Sequence, residues 1–473
     1  MLSVESYMCY TRFRFRNIII KMKKTTHIWL LVSCMTVMYV FVYKIRGQHD
    51  GFKWSYTEPY LTEQNSHRLI QKKHIDSEER QHEKEAIVKE ENQVQMNINV
   101  TSKTNADMRH HHEIYSSDKN IVQRLQLIKY KCKHYFKSKQ LDQSSVISKG
   151  TIFAIPTKIN YCETPKVGCT FWKSILRFIA RDYPKGRQPR KPTDIDRWYV
   201  HFGNWDHIKK YSDLNEALES GHLLNGYNFM FAREPYSRLW SAYLDKFYLP
   251  DFWATMSKKI RPVDKSKCAH DVTFKEFLSF IVKDSIHLDR HWTPLHRLCS
   301  PCHVNYDAIG KMETFNDDSK FILERLGYGK LMNFTKKNPN RRGKEEIFML
   351  AKYNLSFKNS SCFNHKLIAN RLWSVFQMNG FLSKELTFPF EMFKDEMFYN
   401  KTGTTAVFLS YAFKALDYTK ISNINLGVQK YQFMINAYRT IPLSLLYKVQ
   451  KLFQLDFELF GYDAEPIDIF SWQ

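Results

Sequence analysis

Twice along this chain a short apolar strand pattern runs through a tight loop into an amphipathic helix pattern, and that repeated order limits the fold more than any other feature. TIFAIP (151–156) and INYC (159–162) have strand character. TPKVGCT follows, and then FWKSILRFIARDY, in which Phe171, Ile175, Phe178 and Ile179 recur at helical spacing. The second unit pairs the strand YNFMFA (227–232) with PYSRLWSAYLDKF (235–247), which opens on a proline at a favoured helix start. Two such units predict an α/β fold, with a central parallel sheet flanked by helices and an anionic ligand at the strands' C-terminal ends.

Both loops carry groups suited to phosphate. In the first, Pro165, Lys166, Val167, Gly168, Cys169, Thr170 and Phe171 lie between strand and helix. Backbone N–H groups and the positive helix end point at an anion there, glycine permits close approach, Lys166 adds a mobile charge and Thr170 a hydroxyl. The glycine spacing and terminal Gly-Lys-Ser/Thr of a Walker A loop are missing, which disfavours an ordinary ATPase or kinase. In the second stretch, Arg233, Glu234, Pro235, Tyr236, Ser237, Arg238, Leu239, Trp240 and Ser241 follow the strand. Arg233 can grip a phosphate with two N–H groups, and Ser241, two turns into the helix, can add a hydroxyl. Taken singly, either motif also reads as a turn with an exposed lysine or as a helix-capping ion pair.

The pairing of YCETPKVGCTFWK with FMFAREPYSRLWSAYLDKF resembles the two donor signatures of the membrane-bound carbohydrate sulfotransferases, in the branch holding the HNK-1 and the chondroitin and dermatan 4-O-sulfotransferases. HWTPLHRLCSPCHVNYDAIGKMET and the terminal LFQLDFELFGYD resemble that branch as well, so the likeness covers most of 158–320 and the tail. It implies a P-loop-like sulfotransferase fold and the donor PAPS (3′-phosphoadenosine 5′-phosphosulfate), with no metal. Residues 165–171 would hold the 5′-phosphosulfate and residues 233–241 the 3′-phosphate. Phe171 stands where the family has asparagine. The implied reaction is 4-O-sulfation of N-acetylgalactosamine in chondroitin or dermatan; another glycan acceptor, such as an HNK-1-type glucuronic acid or a glycoprotein glycan, is the alternative, and a non-catalytic lumenal glycosaminoglycan-binding protein is a second.

Sulfuryl transfer needs in-line attack, a base for the acceptor proton and cations for charge on the departing phosphate. Lys166 is the electrostatic candidate. His201, in RWYVHFGNW, is the candidate base because a histidine between the donor motifs holds a corresponding place in related sulfotransferases; Glu234, His291 and His296 are rivals.

Lys and Arg outnumber Asp and Glu by 71 to 48, a formal charge of +23, which calls for an anionic partner. A polyanionic glycosaminoglycan or glycoprotein glycan fits; nucleic acid does not, since no familiar module is present. Residues 28–43 read IWLLVSCMTVMYVFVY, a short membrane span, with Arg12, Arg14, Arg16, Lys21, Lys23 and Lys24 before it. The positive-inside bias makes 1–27 a cytoplasmic tail, 28–43 a signal anchor, 44–114 a stem poor in apolar surface and 115–473 a lumenal domain, the arrangement of a single-pass Golgi membrane enzyme. Sequons begin at Asn99, Asn333, Asn354, Asn359 and Asn400, and the polar stretch 328–364 reads as a surface insertion. Of nine cysteines, seven lie in the predicted lumenal domain, so at least one is free or paired between chains. Cys299 and Cys302 are expected in a structural disulfide, with each other or with Cys268 or Cys362.

Overall fold

The computed structural model describes residues 108–137, 150–261, 268, 270–334, 339–357, 362–394, 403–421 and 424–471, all within one compact unit spanning Asn105–Gln473. The anchor, the tail, most of the stem and the sequons at Asn99, Asn359 and Asn400 lie outside the described residues. Among the described residues no helix is long and apolar enough to cross a membrane.

Five strands form one sheet in the order β3-β1-β2-β4-β5: β1 Ile152–Ile155, β2 Ile159–Cys162, β3 Lys209–Tyr211, β4 Tyr227–Ala232 and β5 Ala308–Lys311. The expected strands are present, but the sheet is mixed rather than parallel. β2, β4 and β5 run parallel, whereas β1 pairs antiparallel with both β2 and β3. The reason is local. Only three residues separate β1 from β2, far too few for a parallel crossover, and Lys158 closes the reversal with φ 61° and an N–H bond to the Ile155 carbonyl at 3.0 Å.

Helices cover the sheet. α1 (Met108–Lys137) runs across the expected boundary between stem and domain and buries Ile121, Ile128, Cys132 and Tyr135. α2 (Cys169–Ile179) follows β2, and the short α3 (Arg197–Phe202) packs on it. α4 (Pro235–Tyr243) follows β4 and widens into one π-helical turn, Leu244–Tyr248. α6 (Phe315–Arg325) completes the region around the sheet, while α5 (Phe274–Lys283), α7 (Pro339–Asn354), α8 (His365–Met378), α9 (Gly403–Ile421), α10 (Leu426–Arg439) and α11 (Leu443–Phe460) build a second, helical core. α11 buries Leu446, Val449, Phe453 and Phe457 at helical spacing, so the terminal stretch packs back on the domain as its amphipathic pattern requires.

The 328–364 stretch is not a simple surface insertion. It contains α7, whose Ile347 and Ala351 are fully buried among the core helices. Asn354 at its end is 2% exposed and its Nδ2 donates to the Leu350 carbonyl at 2.8 Å, so the folded chain does not present that sequon's amide. The disulfides also differ from expectation: Cys299 bonds Cys162, Cys302 bonds Cys132, and Cys268 bonds Cys362. Cys162 ends β2 and Cys132 lies on α1, so the Cys-x-x-Cys turn is fastened to two elements at once. Cys169 is the free thiol among the described cysteines.

Candidate active site

The three parallel strands end at Cys162, Ala232 and Lys311, and the loops leaving them meet along one edge of the sheet. Residues 163–168 form the first. Both Lys166 (φ 68°) and Gly168 (φ 72°) adopt the left-handed conformation. A Cβ on Gly168 would lie 2.4 Å from the Phe315 ring, so only glycine fits. For lysine this conformation is strained, and such strain gathers at functional sites. Gly168 caps α2 with no side-chain acceptor, which leaves the first amides of that helix facing the loop. The Lys166 ammonium lies 3.0 Å from Asp245 Oδ2 in the π-helical turn. From there charge runs on: Asp245 also meets Lys246 at 3.4 Å, Lys246 pairs with Asp251, and Tyr353 of α7 donates to Asp251 at 2.7 Å. Burial would raise the Asp245 pKa, but Lys166 and Lys246 overcome it and hold the carboxylate far below its usual range.

Arg233 reaches from the end of β4 to the first loop. Its Nε donates to Ser237 Oγ at 2.8 Å and its Nη1 to the Lys166 carbonyl at 2.8 Å. Ser237 and Ser241 are four residues apart on α4 and so share its face with the guanidinium. The rest of that stretch does other work. Glu234 caps α4, accepting from the Tyr236 amide at 2.8 Å and the Ser237 amide at 2.6 Å. Burial, against those bonds, lifts its pKa to about 7. Arg238 is 1% exposed and spends its N–H groups on the carbonyls of Pro165, Thr293 and Arg290 at 3.1, 2.7 and 3.1 Å. Tyr236 and Leu239 are fully buried, Trp240 is 8% exposed, and Pro235 forms the first turn of the helix. These four build the fold behind the loop. Within the first loop, Val167 likewise faces the core, while Phe171 packs edge-on against Phe315 at 5.2 Å.

His201 sits on α3, neither at a strand end nor in the core. Its Nε2 is 3.0 Å from Thr170 Oγ1, and its Nδ1 is 3.5 Å from Lys173 Nζ. Burial and then Lys173 push its pKa down to about 3, so the ring is neutral. Lys173 is itself fixed at 2.6 Å by Glu163, which also pairs with Arg290. Sequence reasoning missed Glu163, Lys173 and Arg290: the first two flank the 165–171 motif, and the fold brings Arg290 to them from a distant segment. His291 is differently held: its Nδ1 lies 2.6 Å from Asp289 Oδ1. His296 instead binds Asp456 at 2.8 Å, joining its turn to α11.

One buried residue positions His201. Arg177 on α2 is 0% exposed and donates to Asp182, to the carbonyls of Asn204, Gly203 and Val200 at 2.8, 3.1 and 3.4 Å, and lies 3.5 Å over the Trp205 ring. It therefore clamps the end of α3. Arg177→Lys keeps the charge but loses the planar fork. On the expectation that His201 is the base, turnover should fall by about tenfold to a hundredfold with nucleotide affinity unchanged, because a small misplacement of a reacting group has that effect. Steady-state kinetics beside calorimetric nucleotide binding check it.

Residues 149–362 match the model of the sulfotransferase family, a range that holds Lys166, His201, Arg233 and His291. They belong to that family. The sulfotransferase domain is similar to carbohydrate sulfotransferase 11 of Danio rerio, with 30% identity over 218 residues, covering 42% of this chain and 59% of the relative. Carbohydrate sulfotransferase 9 of Homo sapiens is 33% identical over 188 residues, covering 37% and 41%. Carbohydrate sulfotransferase 14 of Danio rerio is 34% identical over 176 residues, covering 35% and 45%. The chain thus spans between 41% and 59% of the length of these relatives. No solved structure matches the chain. The family implies PAPS as the sulfate donor, and the relatives' names place a carbohydrate on the acceptor side.

Proposed function

We propose that the chain transfers a sulfuryl group from PAPS to a hydroxyl of a glycan, with N-acetylgalactosamine C4 of chondroitin or dermatan as the leading acceptor, in the lumen of a Golgi membrane. The observation that carries the reading is the bond from Arg233 Nη1 to the Lys166 carbonyl, because it locks two anion-binding loops side by side at the ends of parallel strands. The α2 amides, Thr170 and Lys166 would hold the 5′-phosphosulfate; the outer edge of Arg233, with Ser237 and Ser241, would hold the 3′-phosphate. The basic flank before residue 28 and the apolar run after it support the membrane placement.

Lys166 would answer charge growing on the bridging oxygen, its ammonium being held at the loop by Asp245 at 3.0 Å until a more negative partner binds. His201 takes the acceptor proton. It is neutral at physiological pH and faces Thr170, the hydroxyl nearest the helix end, though the burial and Lys173 charge that hold its pKa at about 3 also make it a weak base. A second reading rests on the Asp289 contact. With Nδ1–H donated to that carboxylate, His291 keeps the Nε2 lone pair a base requires, whereas an ammonium beside Nδ1 of His201 favours a proton on its Nε2.

The wild-type protein should bind 3′-phosphoadenosine 5′-phosphate and transfer labelled sulfate to desulfated chondroitin. Arg233→Lys, which cannot make both bonds, should bind the nucleotide about tenfold more weakly. No nucleotide binding by a folded wild-type protein would overturn the reading; binding with transfer only to another glycan would move the acceptor alone.

A further inference from the structure

Helix α3 exposes two large aromatic side chains beside His201. Trp198 is 61% exposed and Phe202 63%, and their ring centroids are 4.4 Å apart. They are four residues apart on one helical face, and His201 lies next to them, its ring 6.1 Å from that of Phe202. Across from them α7 brings the Tyr353 ring to 6.5 Å from Trp198, and the Tyr353 hydroxyl is the far end of the charged line that starts at Lys166. α7 is further tied to this face by Arg197 with Glu346 at 3.2 Å and by Lys352 with Asp196 at 3.5 Å. Asp196 caps α3 and Arg177 clamps its other end, so the pair is displayed on a fixed support.

Folding gains little from two rings left in water, and an exposed apolar patch beside reactive groups is a site of recognition. Flat rings of this kind take the C–H face of a pyranose, as they take other surfaces that are apolar on one side and polar at the edge. The charge that precedes them in the chain selects further. The segment leading to α3 reads KGRQPRK over 185–191, with Lys185, Arg187 and Arg190 exposed and no acid before Asp194. We infer that Trp198 and Phe202 are the stacking platform for a pyranose ring of an acidic glycan, whose carboxylates meet the cations of 185–191. The inference rests on the glycan-acceptor reading above and adds the place and the chemistry of acceptor recognition.

The test measures glycan binding directly, so that it does not depend on turnover. Desulfated chondroitin oligosaccharide is titrated into wild type, Trp198→Ala, Phe202→Ala and Trp198→Phe, and 3′-phosphoadenosine 5′-phosphate is titrated into each separately. Both alanine variants should bind the oligosaccharide about tenfold or more weakly, as truncated aromatic anchors do, while Trp198→Phe keeps most of the affinity. Nucleotide affinity and the thermal midpoint should not move, because both side chains are exposed. Carboxyl-reduced oligosaccharide should bind more weakly than the parent. No binding by wild type, equal binding by Trp198→Ala, or equal binding of the carboxyl-reduced probe overturns the inference. Loss of nucleotide binding in the wild type would strike the sulfotransfer reading instead.

Discussion

His201→Ala is expected to turn over roughly 10²–10⁴-fold more slowly than wild type at saturating PAPS and acceptor, with nucleotide affinity nearly intact. Lys166→Ala should lose turnover by about 10²–10³-fold and nucleotide affinity as well, because that ammonium would meet the donor before and during reaction. The split between the two variants separates a base from an electrostatic group. Burial and Lys173 already hold the His201 imidazole down at about 3, so it is unprotonated throughout the neutral range. The kcat/KM profile, which reports the free enzyme, should therefore show no His201 inflection between about pH 5 and 8. A near wild-type rate in His201→Ala together with a collapse in His291→Ala would give the proton to the histidine held by Asp289.

Much of this site was legible because it is local. Strand, loop and helix follow one another in sequence at 159–179 and 227–243, and periodicity, proline and glycine mark each boundary. The same periodicity also sorts the second motif: Ser237 and Ser241 follow one face of α4, toward Arg233 in the preceding loop, whereas Tyr236, Leu239 and Trp240 follow the buried one. A contiguous stretch cannot all face one ligand. What was not legible depends on chain-distant partners. AIGK gives no alternating pattern, yet β5 pairs along its length with β4, and a Cβ on Gly310 would meet the Phe231 ring at 2.3 Å. Cysteine spacing does not fix connectivity, and the bridges from Cys299 and Cys302 reach back 137 and 170 residues. The polarity of 328–364 describes one face of α7 and conceals the other, which is the face that packs.

Glu163→Gln is expected to destabilise the fold by about 3–5 kcal/mol, the effect of removing one partner from a buried ion pair. Glu163 is 3% exposed and lies between Lys173, itself 6% exposed, and Arg290. The amide would leave two cations facing each other, Lys173 buried and Arg290 partly open to solvent, so the cost falls chiefly on the Lys173 side. Burial alone would raise the carboxyl pKa, but Lys173 and Arg290 outweigh it and hold the group below its ordinary 4.5. Its stabilising contribution is therefore complete above about pH 4.5 and drains away as pH falls through the lower, folded value, where the native state must take up a proton. The variant has no such proton to take up. Denaturant unfolding of both proteins should show the full gap at pH 7 and a narrowing gap in acid, and a gap that stays constant down to about pH 3 would mean that Glu163 is not the charged partner. Lys173 would be released toward His201 as well, so the same substitution should slow turnover at pH 7 in protein that is still folded.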